Sequence, residues 1–316
     1  MAQERDSQDG ITRRQLLIGG GAAAALFAAA GVVGWRSWTV RSYWYQLTGA
    51  YDEPGAYPPP YDVKYVYDTM PSKILGRDVE YGVAWPPGHK LPGGGLPLCF
   101  CLPGRGRGPR EMLEGNLRLG DFAAASVVAQ KTLPFALVSV NGGDTYWHRR
   151  TSGEDSMGML LDEFIPFCHG MYGRGPKDRT VIMGWSMGGY GALRAAELRP
   201  ESFCGVCAVS PALWRSFDDG VGDAFDGAAD FAANDVYSGV GRLYGTDARP
   251  PDLTVRLDCG LQDPFYEADK AFVEALPIKP MGGFSPGGHN DAYWRRVAPA
   301  EMDFAWRSVF SRFGSG

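Results

Sequence analysis

The stretch Thr180-Val181-Ile182-Met183-Gly184-Trp185-Ser186-Met187-Gly188-Gly189-Tyr190-Gly191-Ala192-Leu193 constrains the chain more than any other. A short apolar run meets a glycine-rich turn and then a helical pattern. Only a strand running into a sheet interior, turning sharply and feeding a helix against that sheet satisfies all three parts. A turn this tight has room only for small residues on either side of its apex, which Gly184 and Gly188 supply. Ser186 occupies the apex, where its oxygen stands clear of the sheet at a helix N-terminus that favours negative charge.

The remainder of the chain supports the parallel sheet that such a unit needs. Lys64–Tyr67 and Val79–Ala84 read as early, antiparallel strands. Leu96–Leu102, Phe135–Val140, Thr180–Gly184, Phe203–Ser210, Leu253–Cys259 and Pro280–Phe284 read as further strands. Between them, helical patterns fall at Phe122–Gln130, Met157–Tyr172, Gly188–Leu198, Tyr266–Ala275 and Ala292–Phe313. The apolar runs are continuous, as expected of strands covered on both faces. Alternation of this kind predicts an α/β fold, a mostly parallel central sheet with helices on both faces. A hydrophobic share of 45% against 21% charged residues is enough for a substantial core. The long acidic, Gly-rich segment near 211–250 reads as an insertion over the site.

The N-terminus carries a separate message. Arg13-Arg14 precedes an apolar, Gly/Ala-rich run from Leu16 to Gly34. This pattern reads as a twin-arginine export signal over residues 1–34. Cleavage after Ala28-Ala29-Ala30 and retention as a membrane anchor through residues 16–34 are both open, since about 19 apolar residues just span a bilayer. Both place the protein outside the cytoplasm, secreted or in the cell envelope. Residues 35–61 form an aromatic, Pro-rich arm, and 62–316 the α/β domain. The net charge of −5 gives no basis for nucleic-acid binding. The six cysteines lie mostly in strand-like runs, and Cys204-Gly-Val-Cys207 sits inside a strand pattern, so they read as buried structural thiols. Their spacing with histidine suits no metal, and no cofactor is expected.

A serine hydroxyl needs a base to act as a nucleophile. In an α/β-hydrolase arrangement, acid and base follow the serine in chain order. Of the four histidines, His89, His148, His169 and His289, only His289 follows Ser186. It lies in Gly287-Gly288-His289-Asn290, after the last strand. The acid is expected just past the strand ending at Cys259, at Asp263 in Gly260-Leu261-Gln262-Asp263; capping of the next helix is its alternative role, and Asp258 is the alternative acid. Two backbone N–H groups are expected to face the developing oxyanion: those of Met187 and of Arg105, which follows Gly104 in the turn after Leu96–Leu102. Arg107, Asp144, Trp147, His148 and Trp185 are candidate substrate contacts. They would favour a polar, anionic or sugar-like group, with solvated loop charges as the alternative.

Together, Gly-Trp-Ser-Met-Gly-Gly at 184–189, Gly-Leu-Gln-Asp at 260–263 and Gly-Gly-His at 287–289 with Trp294 resemble the esterase D branch of the α/β-hydrolases. That branch includes S-formylglutathione hydrolases, feruloyl esterases and mycobacterial mycolyltransferases. The resemblance spans roughly residues 76–312 and implies an acyl-enzyme on Ser186. It implies a carboxylic-ester hydrolase acting on a small-molecule, lipid or sugar ester, or an acyltransferase in which a sugar hydroxyl replaces water. A non-catalytic envelope-binding protein on the same scaffold is the reading from another class.

Overall fold

In a computed structural model, residues 55–93, 95–173, 180–240 and 253–310 are described. Residues 51–316 form one compact unit. The segment read as an export signal and most of the arm lie outside the described residues, as does the end of the insertion from 241.

Eight strands form one sheet in the order β1-β2-β4-β3-β5-β6-β7-β8. They are β1 Lys64–Ser72, β2 Arg77–Trp85, β3 Leu98–Leu102, β4 Ala136–Val140, β5 Thr180–Trp185, β6 Phe203–Val209, β7 Thr254–Gly260 and β8 Met281–Ser285. β1 pairs antiparallel with β2, and β2 antiparallel with β4. All other pairings are parallel. This is the α/β-hydrolase sheet that the alternation of strands and helices predicted.

Continuous apolar strands arise because the sheet has a core on each face. On β3, Leu98, Phe100 and Leu102 meet Met159, Leu160, Phe164 and Ala192. The alternate residues Cys99 and Cys101 face Phe122, Trp294 and Phe304. Side chains of opposite parity thus enter opposite cores. All six cysteines are free and buried, two of them on this second face of β3.

One helix departs from expectation. Met157–Tyr172 is a turn at Ser156–Gly158, a π-helical stretch Met159–Phe164, and an α-helix Ile165–Met171. Pro166 has no N–H for the i→i−4 ladder, so the preceding turn widens rather than continuing regularly. The short helix Pro109–Leu113 was not anticipated.

The arm's last residues pack on two helices. Gly55 N–H donates to Ala292 O at 3.0 Å. The Tyr57 ring lies 5.1 Å from the Arg118 guanidinium and 4.4 Å from that of Arg295. The insertion joins β6 to β7 and contains the helix Ala228–Asn234. Being parallel, β3, β5, β6, β7 and β8 deliver all their following loops to the same edge of the sheet, where ligands bind in folds of this type.

Candidate active site

At the end of β5 the chain folds back on itself into the helix Met187–Leu198. A Cβ on Gly184 would lie 1.9 Å from Gly188 O, and one on Gly188 would lie 2.0 Å from Leu102 O. Neither position can hold a side chain without moving backbone. Ser186 sits between them at φ 56°, ψ −119°, a conformation a non-glycine residue adopts only under constraint. Three backbone hydrogen bonds impose it: Ser186 N–H donates to Val209 O at 3.0 Å, and Ser186 O accepts from Tyr190 N–H at 3.1 Å and Ala212 N–H at 3.0 Å.

The loops after β7 and β8 are interlocked. Gln262 N–H donates to Gly287 O at 2.9 Å, and Gly287 N–H donates to Gln262 Oε1 at 2.7 Å. A Cβ on Gly260 would meet Gly287 O at 2.1 Å. This contact brings the Gly-Leu-Gln-Asp and Gly-Gly-His segments together and gives Gln262 a role that the sequence did not suggest.

The outcome is a continuous relay. His289 Nε2 lies 2.8 Å from Ser186 Oγ, and His289 Nδ1 lies 2.8 Å from Asp263 Oδ2. A carboxylate can only accept, so Nδ1 carries the proton and Nε2 presents its lone pair to the serine hydroxyl. Asp263 is 2% exposed, which shields the contact from water. Its Oδ1 also accepts from Phe265 N–H at 2.9 Å. Phe265, not Asp263, is the N-cap of the helix Tyr266–Ala275, so of the two roles weighed for Asp263 the acid's is filled and the cap's is not. The alternative acid Asp258 is instead clamped by Arg256, at 2.6 and 3.1 Å.

Aromatic rings fix the imidazole. Phe265 and Trp294 stand edge-on at 5.3 and 5.1 Å. Trp294 Nε1–H donates to Ser210 Oγ at 3.1 Å. Behind Asp263, Asp269 is fully buried; burial first, and then the Asp263 charge, push its carboxyl well above the usual range. Nothing in the sequence pattern singled out Asp269.

Gly104 approaches the nucleophile closely: a Cβ there would lie 3.4 Å from Ser186 Cβ. The turn closes through Arg107 N–H on Gly104 O at 3.2 Å. Acidic residues from three elements pin it. Asp144 accepts from Gly106 N–H at 2.7 Å, Asp223 takes the Arg105 guanidinium at 2.7 and 2.5 Å, and Asp291 pairs with Arg107 at 2.8 Å. Met187 opens the helix, where the first N–H groups have no partner within the helix.

Three candidate substrate contacts are corrected. Trp147 and His148 are 1% and 2% exposed, and Trp185 is fully buried. Trp147 packs against Gly142 and Gly191, where glycine leaves room for an indole. His148 Nε2 lies 3.0 Å from Asp230 of the insertion. Trp185 shares the parity of Val181 and Met183 on β5 and points into the core away from the insertion. In their place, Phe265 stands half-buried beside His289, Trp214 packs on Phe265 with ring centroids 5.4 Å apart, and Tyr146 lies 5.6 Å from Trp214. Among the described residues no cluster suited to a metal ion occurs.

The fold has counterparts among known proteins. A ferulic acid esterase structure superposes with a TM-score of 0.68 at 22% identity, covering 79% of this chain and all of its own. A Staphylococcus aureus fluorophosphonate-binding serine hydrolase gives 0.61 at 17%, covering 76% of this chain and 97% of its own. An S-formylglutathione hydrolase from Agrobacterium tumefaciens gives 0.61 at 18%, covering 82% of this chain and 100% of its own. At these identities the likeness establishes the α/β-hydrolase fold. No curated protein sequence matches the chain. Residues 72–297 match the family described as "Putative esterase", and the chain belongs to that family of carboxylic-ester hydrolases.

Proposed function

We propose that the protein is an exported serine ester hydrolase that works through an acyl-enzyme on Ser186. The observation that carries this is the unbroken relay from Ser186 Oγ through His289 to Asp263, with both contacts at 2.8 Å. His289 takes the hydroxyl proton as Ser186 Oγ attacks the ester carbonyl. The Met187 and Arg105 N–H groups receive the oxyanion. His289 then returns the proton to the leaving alcohol, and water repeats the sequence in reverse to release the acid. Asp263 orients the imidazole and stabilises its cationic form.

The half-buried Phe265 beside His289, with Trp214 packed against it, supports an ester whose acyl part is apolar or aromatic. The solved ferulic acid esterase is in keeping with this reading. Export rests on Arg13-Arg14 and the apolar run after it. Exchange of both arginines for lysine should leave the protein in the cytoplasm of its host.

The chemistry is tested by mass spectrometry of the protein after treatment with a fluorophosphonate. The adduct should fall on Ser186, and Ser186→Ala should abolish both the adduct and hydrolysis of p-nitrophenyl esters. Undiminished turnover by Ser186→Ala would overturn the proposal. Release of free acid in the presence of a large excess of trehalose or glucose separates hydrolysis from acyl transfer. A sugar ester as the main product would make the protein a transferase.

A further inference from the structure

Just past the end of β6 stands a residue that carries strain without being glycine. Ser210 takes φ of 45°, in the left-handed region, and Pro211 follows it. The residue before a proline ordinarily stays extended. Ser210 thus departs from its backbone preference twice, and such a conformation persists only where the surrounding structure enforces it.

The enforcing neighbours are the catalytic segments. Val209 O accepts from Ser186 N–H at 3.0 Å and Ala212 N–H donates to Ser186 O at 3.0 Å, so the chain on either side of Ser210 is hooked to the nucleophile. Ser210 N–H donates to Asp258 O at 2.7 Å, on the strand β7 that leads to Asp263. Ser210 Oγ accepts from Trp294 Nε1–H at 3.1 Å. An indole has one donor, and that of the buried Trp294 is used here.

Trp294 in turn touches two parts of the machinery. Its ring stands edge-on to His289, with centroids 5.1 Å apart and an interplanar angle of 82°. The Arg107 guanidinium lies 5.4 Å from the same ring, and Arg107 N–H closes the Gly104–Arg107 turn on Gly104 O. Apolar packing has no preferred direction, whereas a hydrogen bond does. The bond to Ser210 is therefore what fixes the rotation of the indole. The Ser210 side chain has no exposed surface, so it meets no substrate.

We propose that Ser210 is a positioning residue of the esterase site: its constrained backbone aims Oγ at the Trp294 indole, and the indole sets His289 against Ser186 and steadies the Gly104–Arg107 turn. The inference rests on the serine-hydrolase reading of that site.

Two variants of the full chain test it. Ser210→Ala loses the hydroxyl and keeps the left-handed demand on a side-chain-bearing residue. Ser210→Gly loses the hydroxyl and relieves that demand, so it should melt above the alanine variant. Both should share a kcat on p-nitrophenyl butyrate about tenfold below wild type at nearly constant KM, the worth of one hydrogen bond expressed as a rate. In the Trp294→Phe protein, which has no indole donor, Ser210→Gly should lower kcat by no more than about a further twofold. The side-chain N–H spectrum of protein carrying isotope-labelled tryptophan gives a readout apart from turnover. The indole peak that is missing from Trp294→Phe should move in Ser210→Gly. Wild-type kcat in Ser210→Gly, full additivity of the two substitutions, or an unmoved Trp294 peak would overturn the proposal while the hydrolase reading stood. Absence of Ser186-dependent turnover from wild type would overturn both.

Discussion

Asp263→Asn separates the acid's electrostatic role from its structural one. In the native protein Oδ1 accepts from Phe265 N–H at 2.9 Å and Oδ2 from His289 Nδ1–H at 2.8 Å. Asparagine has one oxygen and one NH2 group. The oxygen stays with Phe265 N–H, because an amide nitrogen cannot accept that bond. The NH2 group then faces Nδ1 and forces the ring into the tautomer protonated at Nε2. That nitrogen points at Ser186 Oγ, so the base is lost while every heavy atom keeps its place. The expected fall in kcat is roughly 10⁴-fold, by analogy with the same exchange in other triads. Four decades correspond to about 5.5 kcal/mol of transition-state stabilisation. Stability should barely change, since the turn is preserved and the charge that faces Asp269 is removed. Initial rates on p-nitrophenyl butyrate, normalised to folded protein, measure the first effect, and thermal melts the second. A variant within tenfold of wild type with an unchanged Tm would refute the assignment of Asp263. Asp258→Asn is the counterpart: it leaves the buried Arg256 guanidinium uncompensated and should cost roughly 3 kcal/mol of stability without a specific loss of kcat.

Three other outcomes follow from the same contacts. Gly188→Ala puts a methyl group 2.0 Å from Leu102 O and 2.7 Å from Pro103 O, so it should lose about 3 kcal/mol or more and displace Ser186; a normal melt with normal turnover would contradict that packing. Glu301 is fully buried with no hydrogen-bond partner for either oxygen among the described residues, and burial pushes its carboxyl well above the usual range. The folded protein keeps a proton that the unfolded chain releases above about pH 4.3, so Glu301 subtracts stability as pH rises from there towards its folded value. Glu301→Gln should therefore gain on wild type between pH 4 and pH 7 in urea denaturation, and parallel curves would disprove it. Trp294→Phe keeps a ring beside His289 but loses the bond to Ser210 and much of the Arg107 contact, so kcat should fall about tenfold with KM nearly constant.

What could be read from the sequence was whatever depends on short-range backbone demands. The strand–turn–helix around Ser186 needs its glycines within a few residues, so its meaning is local. His289 was fixed by its place in the chain, and Asp263 by the end of an apolar strand. Trp147 and His148 misled because their burial depends on distant partners, Gly191 on the nucleophile helix and Asp230 on the insertion. A Trp-His-Arg-Arg loop looks solvent-facing until those partners arrive. Trp185 is different: the two-residue period of β5 already assigned it to the face of Val181 and Met183. Asp269 shares the buried face of its helix with Phe272, three residues on, yet no sequence rule marks an acid on an apolar face as buried behind the triad.

The Gly104–Arg107 turn shows how the site is made rigid beneath a separate covering. The Arg105–Asp223 pair ties the turn to the insertion, but both side chains are largely exposed, at 46% and 69%, and exposed pairs contribute only about 0–1 kcal/mol. The Arg107–Asp291 pair is better shielded, at 26% and 18%, and its guanidinium also lies 5.4 Å from the Trp294 ring that packs on His289. Asp144 adds a charged acceptor to a backbone N–H of the turn itself. The stronger restraints thus come from the β4 loop and the closing helix, both anchored in the sheet. The weaker one comes from the insertion. The turn is therefore held in shape whether or not the insertion keeps its place. Changes in the insertion should alter which acyl groups enter before they alter how the ester carbonyl is attacked.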